Sequence, residues 1–383
     1  MAAVRRGASQ RSVARRFRMH LRTVQRWVGR AGNRRLDRVA WCDQPRGPRE
    51  PPRRTGSAVE AQVVALRRTL QRQSDLGGFG AEAVAAELRR QAVPNPPCAR
   101  TIHRILERCG ALDGGQRTRR PAPPRGWYLP DLAAARAELD QFDLVEDLKI
   151  QDGPLVGSLN GVSLHGGLVG AFPDAQFTAA AVRALLTDHW REEGLPDYAQ
   201  FDNDTRFQGP HQHRDVVGSV TRLCLSLGVT PVFIPPGEVG FQAAIENFNG
   251  LWQAKVWSRF HHPSLPALQE QSRRYVAAHR RRAAARREHA PERTAFPQDW
   301  RLNLQTPPQG TIIYLRRTTD QGHVYLLGRS FIVAPTWLHR LVRCEVDLDR
   351  DLIRFHALRR RDPSHQPLLN EVPYQLPQRR FQE

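Results

Sequence analysis

The sequence predicts a multidomain protein: two small all-α units, then an α/β domain with a mixed sheet, then a small C-terminal β-barrel. Helical periodicity dominates the first hundred or so residues. From about residue 140, three successive strands precede alternating helices and strands, which is the pattern of an α/β domain. After residue 310, short alternating strands follow one another closely, which is typical of a small barrel.

Residues 9–31 predict a helix-turn-helix. Two amphipathic helices are joined by the short turn Arg18-Met19-His20, and the apolar positions include Phe17 on the first helix and Trp27 on the second. The second helix of such a motif enters the major groove of DNA. Its polar side chains are therefore the expected contacts to base edges and phosphates: Arg22, Thr23, Gln25 and Arg26.

The charge of the chain agrees with a polyanionic partner. The formal net charge is +20 and the sequence pI is about 11.1. Residues 1–56 contain 16 arginines and three acidic residues, so this segment supplies 13 of the 20 net charges. A basic segment of this density indicates nucleic-acid binding.

Composition also excludes several classes of protein. The five cysteines are scattered and form no CxxC pair, which argues against a disulfide framework and against a cysteine-based zinc site. No apolar run approaches the roughly 20 residues that span a bilayer, and the N-terminus lacks the apolar region of a signal peptide. We therefore expect a cytoplasmic protein without a membrane partner.

Composition shifts and element patterns place the domain boundaries. We expect a helix-turn-helix domain, a Pro/Arg linker, a second helix-turn-helix-like domain, another linker, a catalytic core, a basic helical connector and a β-barrel with a tail. In order, they cover residues 1–42, 43–56, 57–113, 114–135, 136–265, 266–309 and 310–383.

Three acidic residues of the α/β domain stand at positions that could converge. Asp147 lies on the first strand, Asp202 ends the fourth, and Glu246 lies on the last helix. Clustered carboxylates repel one another unless cations neutralise them, and Mg²⁺ prefers such oxygen ligands. Two divalent ions can activate an attacking oxygen and stabilise a leaving oxygen in phosphoryl transfer. Asp143 and Glu146 are alternatives for the first acid, and parity does not separate Asp143 from Asp147.

The order of elements, with "FDND" ending the fourth strand and "IENFNG" on the last helix, resembles the RNase H-like core of DDE transposases and retroviral-type integrases. It looks closest to insertion-sequence transposases with an N-terminal helix-turn-helix. In this resemblance "DLK" favours Asp147 as the first acid, so Asp147, Asp202 and Glu246 take the catalytic, metal-binding positions. Asn203 matches the family's "DN" pair, and Asn249 an "E-x-x-N" pattern.

The resemblance implies a DNA transposase that cuts element ends and joins the 3′-OH to target DNA, using Mg²⁺ or Mn²⁺, with two ions. It also implies a homo-oligomer on double-stranded DNA, located in the bacterial cytoplasm at the nucleoid. An ATPase that assists the reaction is a further possible partner. Lys255 and Arg259 follow Glu246 on the same helix. These two side chains either contact the DNA backbone or belong to a solvated helix face. The alternative function is a catalytically inactive or domesticated, repressor-like DNA-binding protein, favoured by Asp204 where the family has glycine.

Overall fold

A computed structural model of the chain describes residues 1–42, 55–74, 78–112, 125–150, 153–210, 213–238, 240–359 and 362–382. The chain forms two compact units, Met1–Ala61 and Gln62–Glu383. The predicted linker 43–56 lies almost entirely outside the described residues, and so does the first half of linker 114–135. The segments predicted after residue 61 as separate domains and connectors thus share one compact unit.

The first unit contains the predicted helix pair. Helix α1 is Ala2–Arg5, α2 is Gln10–Arg16 and α3 is Leu21–Ala31. Ser9 and His20 cap α2 and α3, because their side chains accept hydrogen bonds from backbone N–H groups of the first turn. Phe17 does not join the apolar face, and 58% of it is exposed. Helix α2 ends at Arg16, so Phe17 belongs to the turn and its side chain leaves that face.

A second group of helices follows where the sequence predicts it. Helix α4 is Ser57–Gln73, α5 is Ala81–Arg90 and α6 is Ala99–Arg108. Helices α5 and α6 bury apolar residues at helical spacing, among them Val84 and Leu88 on α5 and Ile102 and Ile105 on α6. The short helix α7, Pro130–Ala133, leads into the sheet.

The remaining helices and strands build one large α/β body. In chain order they are β1 Leu139–Lys149, β2 Leu155–Ser163, β3 Val169–Asp174, α8 Ala179–Glu193, β4 Tyr198–Phe201, α9 Thr205–Gln208, α10 Ser219–Ser226, β5 Thr230–Phe233, α11 Ala243–Trp252, α12 Leu265–Arg282, α13 Ala284–Arg287, β6 Thr311–Arg317, β7 His323–Leu326, β8 Arg329–Ile332, β9 Leu341–Asp347, β10 Leu352–Ala357 and β11 Leu368–Pro373. A π-helical turn, Gln253–Trp257, continues α11. None of the helices in the described ranges has both the length and the apolar character needed to cross a membrane.

Nine strands form a mixed sheet in the order β11-β10-β9-β6-β5-β4-β1-β2-β3. Strands β1, β2 and β3 form an antiparallel meander, whereas β4 and β5 run parallel to β1. Helices α8 and α10 pack on one face around Phe142 and Trp190, and α11 and α12 pack on the other around Val145 and Trp252. This architecture agrees with the α/β domain with a mixed sheet that the sequence predicts.

The C-terminal strands do not form the separate barrel that the sequence predicts. Strand β6 pairs in parallel with β5, and β9, β10 and β11 extend the same sheet, while β7 and β8 form a two-stranded hairpin. The physical reason lies in β6, where Ile312 and Tyr314 are buried on one face and Ile313 and Leu315 on the other. A strand that is apolar on both faces belongs inside a covered sheet.

A buried ion pair fastens the segment after α13 to the sheet. Arg293 donates to both carboxylate oxygens of Asp140, from Nη1 at 2.9 Å and from Nη2 at 2.7 Å. The Asp140 side chain is only 2% exposed and also accepts a hydrogen bond from Trp190 Nε1 at 3.1 Å. Removal of the guanidinium would leave a buried carboxylate without its cation.

We expect Arg293→Ala to lower the free energy of unfolding by about 3–5 kcal/mol. The matched control is Arg273→Ala, because Arg273 pairs with Glu270 on the surface, where both side chains are at least half exposed. An exposed pair contributes at most about 1 kcal/mol. Urea denaturation followed by circular dichroism measures both variants, and equal losses would contradict the buried-pair assignment.

Candidate active site

A β-bulge in β1 decides which acid faces α11. Val145 pairs with Ser158 and Leu148 with Val156, so β1 carries one extra residue opposite β2. Before the bulge, Asp143 and Val145 share the face that α11 covers; after it, Leu148 takes that face. Asp147 lies inside the bulge, is exposed, and has left-handed backbone (φ 58°). The bulge thus separates two aspartates that have the same parity in the sequence.

Asp202 lies level with Asp143 on the neighbouring strand. Strands β1 and β4 are parallel, and Gln141 is the register partner of Gln200. Two residues further along each strand stand Asp143 and Asp202, on the face that both glutamines share. Asp202 follows the last residue of β4 and is half-buried there.

One buried amide joins the three elements that carry the acids. The Gln141 Nε2 donates to Gln200 Oε1 at 2.5 Å and to the Phe241 carbonyl at 3.0 Å. Its Oε1 accepts from the backbone N–H of Ile245 at 3.1 Å, which caps the first turn of α11. Glu246 is the next residue, so Gln141 fixes β1, β4 and the start of α11 relative to one another.

Asp143 is the electrostatic centre of the site. Burial raises its pKa to about 6, and the carboxylates of Asp202 and Glu246 add to the rise. The pKa of Asp202 is also raised, chiefly by burial and further by the charges of Asp204 and Glu146. Glu246 itself is exposed on α11. Asp143 therefore lies close enough to Asp202 and to Glu246 for the charge of each to affect its ionisation.

A chain of polar side chains holds the Asp143 carboxylate. Asn249 Nδ2 donates to Asp143 Oδ2 at 2.8 Å, and Asn160 Nδ2 donates to Asn249 Oδ1 at 2.8 Å. The Ser158 hydroxyl in turn donates to Asn160 Oδ1 at 2.7 Å. Because each amide both donates and accepts, the chain fixes the orientation of Asn249 toward the acid. The signal in the sequence is an asparagine in the middle of strand β2, between Leu159 and Gly161.

The residues after Asp202 are held on both sides. Asn203 donates to the Ile234 carbonyl at 2.8 Å and accepts from the buried Arg316 at 3.0 Å. Asp204 caps the short helix α9, and its Oδ1 accepts from Arg206 Nε at 2.8 Å. An aspartate at this position therefore starts a helix and binds a guanidinium, where glycine would only permit a turn.

Arg206 links Asp204 to Glu146 of the bulge. Its Nη1 lies 2.5 Å from Glu146 Oε1, and its Nη2 lies 2.6 Å from Asp204 Oδ2. The guanidinium lowers the pKa of both acids, so both stay ionised. Glu146 is thus engaged in an ion pair beside the site, rather than facing α11.

The expectation for Asp147 does not agree with this geometry. The structure places Asp147 in the exposed part of the bulge and places Asp143, the alternative first acid, beside Asp202 and Glu246. The preference for Asp147 rested on the sequence "DLK". The extra residue of the bulge, which a parity argument does not include, is the reason why the two aspartates lie in different surroundings.

The predicted DNA contacts fall into two groups. On α3, Arg22, Gln25 and Arg26 are exposed and Thr23 is half-buried. The guanidinium of Arg26 lies 5.5 Å from the centre of the Trp27 ring. This face of α3 therefore presents polar groups to solvent, as a DNA-reading helix requires.

Lys255 and Arg259 are engaged inside the second unit. Arg259 donates to the carbonyls of Ser74 and Arg72 at the end of α4, the latter at 2.9 Å, which neutralises that helix terminus. Lys255 lies 5.7 Å from the centre of the Phe79 ring. Both side chains therefore hold the second helical group against the core, a role that neither sequence alternative included.

The carboxylate oxygens of this site are ligands of the type that a hard divalent cation prefers. Asp143 and Asp202 are acceptor-only when ionised. Burial is the main cause of the raised Asp143 pKa, and a cation beside the two carboxylates would offset both that burial and the added repulsion from Asp202 and Glu246. The three carboxylates are nevertheless not gathered into a closed ligand cage. Among the described residues, no group of three or more His, Cys, Asp or Glu side chains is placed to hold a metal ion.

No protein-family model matches the chain, and no curated protein does. Among solved structures, the chain is similar to one in the simian T-cell lymphotropic virus intasome in complex with the PP2A regulatory subunit B56 gamma. The identity is 15% and the TM-score 0.33, over 69% of this chain and 84% of that one.

Two further similarities involve catalytic cores. The HTLV-2 integrase catalytic core in complex with magnesium is 14% identical, with a TM-score of 0.29, over 41% of this chain and 87% of that one. The BIV integrase catalytic core is 16% identical, with a TM-score of 0.27, over 37% and 81%. Overlaps at this level do not define an activity.

The raised pKa of Asp143 predicts a pH-dependent stability. Between about pH 4 and pH 6 the folded state holds a proton that the unfolded state has lost, so wild-type stability falls as pH rises through this window. We expect Asp143→Asn to remove this loss, raising the unfolding free energy by up to about 3 kcal/mol at pH 8 and by little at pH 4. Thermal melts at both pH values measure the difference.

The matched control is Asp147→Asn, an exposed aspartate four residues further on the same strand. We expect it to change stability by less than about 0.5 kcal/mol at either pH. A gain for Asp143→Asn that is the same at pH 4 and pH 8 would show that ionisation of Asp143 is not its cause.

Proposed function

We propose that this chain is a polynucleotidyl transferase of the DDE type, acting as a DNA transposase that cuts element ends and joins the 3′-OH to target DNA. The observation that carries the proposal is the site around Asp143, where burial and two neighbouring carboxylates raise the pKa of an acid on strand β1 of the mixed sheet. Unrelieved carboxylate repulsion is typical of sites that work with cations.

In this proposal Asp143, Asp202 and Glu246 hold the metal ions, Mg²⁺ or Mn²⁺. When bound, two ions supply an activated oxygen nucleophile and stabilise the leaving oxygen. The chain's own contribution is orientation: Asn249 aims the Asp143 carboxylate, and Gln141 fixes the strands and α11. Asp143 takes the first position instead of Asp147.

The DNA is held by basic surface. Helix α3 binds element ends through Arg22, Thr23, Gln25 and Arg26, and the net charge of +20 adds a general attraction for phosphates. In this proposal the protein acts on double-stranded DNA as a homo-oligomer. It is located in the bacterial cytoplasm at the nucleoid, and an ATPase is a possible partner. The basic α12 contributes less than its sequence indicates, because Arg280 donates to the Val169 carbonyl at 2.8 Å.

The second candidate is a repressor-like DNA-binding protein that has lost cleavage. One observation favours it: within the described ranges the acids do not form a ready metal cage, and Glu246 is solvent-exposed. Both functions require DNA binding, but only the transposase requires a divalent ion and the three carboxylates.

Cleavage tests the proposal directly. We expect wild type to nick DNA that flanks its own gene at a defined end in Mg²⁺ or Mn²⁺. Asp143→Asn and Asp202→Asn are expected to lower the rate at least 100-fold, since each loses a metal ligand. Asp147→Asn should remain within about threefold of wild type, because Asp147 lies outside the acid cluster. Gel analysis of end-labelled DNA measures the products.

If Asp147→Asn abolishes nicking while Asp143→Asn does not, the assignment of the first acid is wrong. Tight DNA binding by all variants with no nick in either metal would move the assignment to the repressor-like function.

Metal binding is separable from cleavage. At pH 8, Mg²⁺ or Mn²⁺ should raise the melting temperature of wild type, because a bound cation relieves the repulsion at Asp143 and stabilises the folded state by mass action. A shift of several degrees is expected for wild type and less than one degree for Asp143→Asn. An equal shift in both proteins would place the ion elsewhere.

A further inference from the structure

A cavity of about 530 Å³ opens beside the loop that leads into α11. Its walls include three aromatic rings, Trp127, Phe241 and Trp337. Trp127 and Phe241 are nearly buried, with ring centres 5.6 Å apart, and form the floor. Trp337 is half-buried and its Nε1 donates to the Leu341 carbonyl at 3.1 Å, which fixes its ring plane. The cavity therefore offers aromatic faces that are already in position.

The rim of the cavity is basic. The Arg340 guanidinium lies 4.7 Å from the centre of the Trp337 ring, and Arg359 is exposed at the edge. Neither guanidinium forms an ion pair with a carboxylate of the described residues. Arg317 is instead bound to Glu238, the one acid among the described lining residues. Aromatic faces favour a ligand with a flat ring that can stack on them, and guanidinium groups at the rim favour a negatively charged group such as phosphate.

The side chain of Gln141 connects the cavity to the strand that carries Asp143. The carbonyl of Phe241, in the cavity floor, accepts from Gln141 Nε2 at 3.0 Å. Gln141 precedes Asp143 by two residues on β1, a distance of about 7 Å along a strand. A nucleotide next to a phosphodiester held at Asp143 would thus lie within reach of the cavity.

We propose that this cavity binds one unpaired nucleotide of the DNA strand beside the phosphodiester that is cut. This inference rests on the proposed function for the identity of the substrate. The base stacks against the aromatic faces around Trp337, and its phosphate contacts Arg340 and Arg359. A base inside a duplex is paired and stacked on its neighbours, so the nucleotide must leave the helix to enter. The volume lies in the range of small-ligand pockets.

Binding of single strands by the full-length chain tests this inference without metal or cleavage. Fluorescence anisotropy compares a labelled 15-mer of thymidine with an abasic strand of equal length and with a duplex of equal length. Each stacked base contributes about 1–3 kcal/mol, which is at least a fivefold change in Kd. We therefore expect Trp337→Ala to weaken thymidine binding at least fivefold and to change duplex and abasic binding less than twofold.

Two further variants separate stacking from folding and from charge. Trp337→Phe keeps an aromatic face and should restore most of the affinity. Arg340→Ala should weaken both single strands, because it removes a phosphate contact and not a base contact, whereas the exposed Arg273→Ala should change each Kd less than twofold. Retained affinity in Trp337→Ala, or equal affinity of wild type for abasic and thymidine strands, would overturn the inference. If the variants show the expected single-strand affinities but wild type does not nick DNA, the proposed function is overturned and the inference about the cavity is not.

Discussion

The side chain of Gln141 is the interaction on which the geometry of the acid cluster depends. Its amide bonds to β4 through Gln200, to the loop before α11 through the Phe241 carbonyl, and to the first turn of α11 through Ile245. Each acid lies one or two residues beyond one of these contacts. Because a buried amide is costly unless all its hydrogen bonds are made, the three elements are held in one arrangement.

Under the proposed function, stability and activity oppose each other at Asp143. A carboxyl with a pKa raised to about 6 is destabilising above that pH, and its neighbours Asp202 and Glu246 increase the cost. Other parts of the fold offset this loss of stability, among them large buried aromatic residues such as Trp190 and Trp252 and the Arg293–Asp140 pair. Such local strain is expected where a site is built to receive a cation.

The distribution of positive charge divides the arginines into two kinds. On α3, Arg22 and Arg26 are exposed, whereas Arg30 is half-buried and donates to the Cys42 carbonyl. Several arginines of the second unit are also bound within the protein. Arg259 neutralises the end of α4, and Arg286 donates to the carbonyls of Leu164 and His165 at 2.7 and 2.9 Å. Net charge therefore overstates the surface available to DNA, since many of these guanidinium groups already have partners.

Local patterns in the sequence determined most of the elements. The helices 57–73 and 81–90, the three-strand meander and the alternation that follows were predictable, because amphipathic periodicity and turn residues act over a few neighbours. Asp202 and Glu246 could be singled out in the sequence, because an acid that ends an apolar strand or interrupts an apolar helix stands out; their role as catalytic residues stays a prediction. Tertiary structure decided the rest. The bulge at residues 146–147 places Asp143, and not Asp147, beside Asp202, and β6 pairs with β5 because both of its faces are apolar, so the C-terminal strands extend the central sheet. Both outcomes depend on pairing with distant strands, which a linear pattern does not contain.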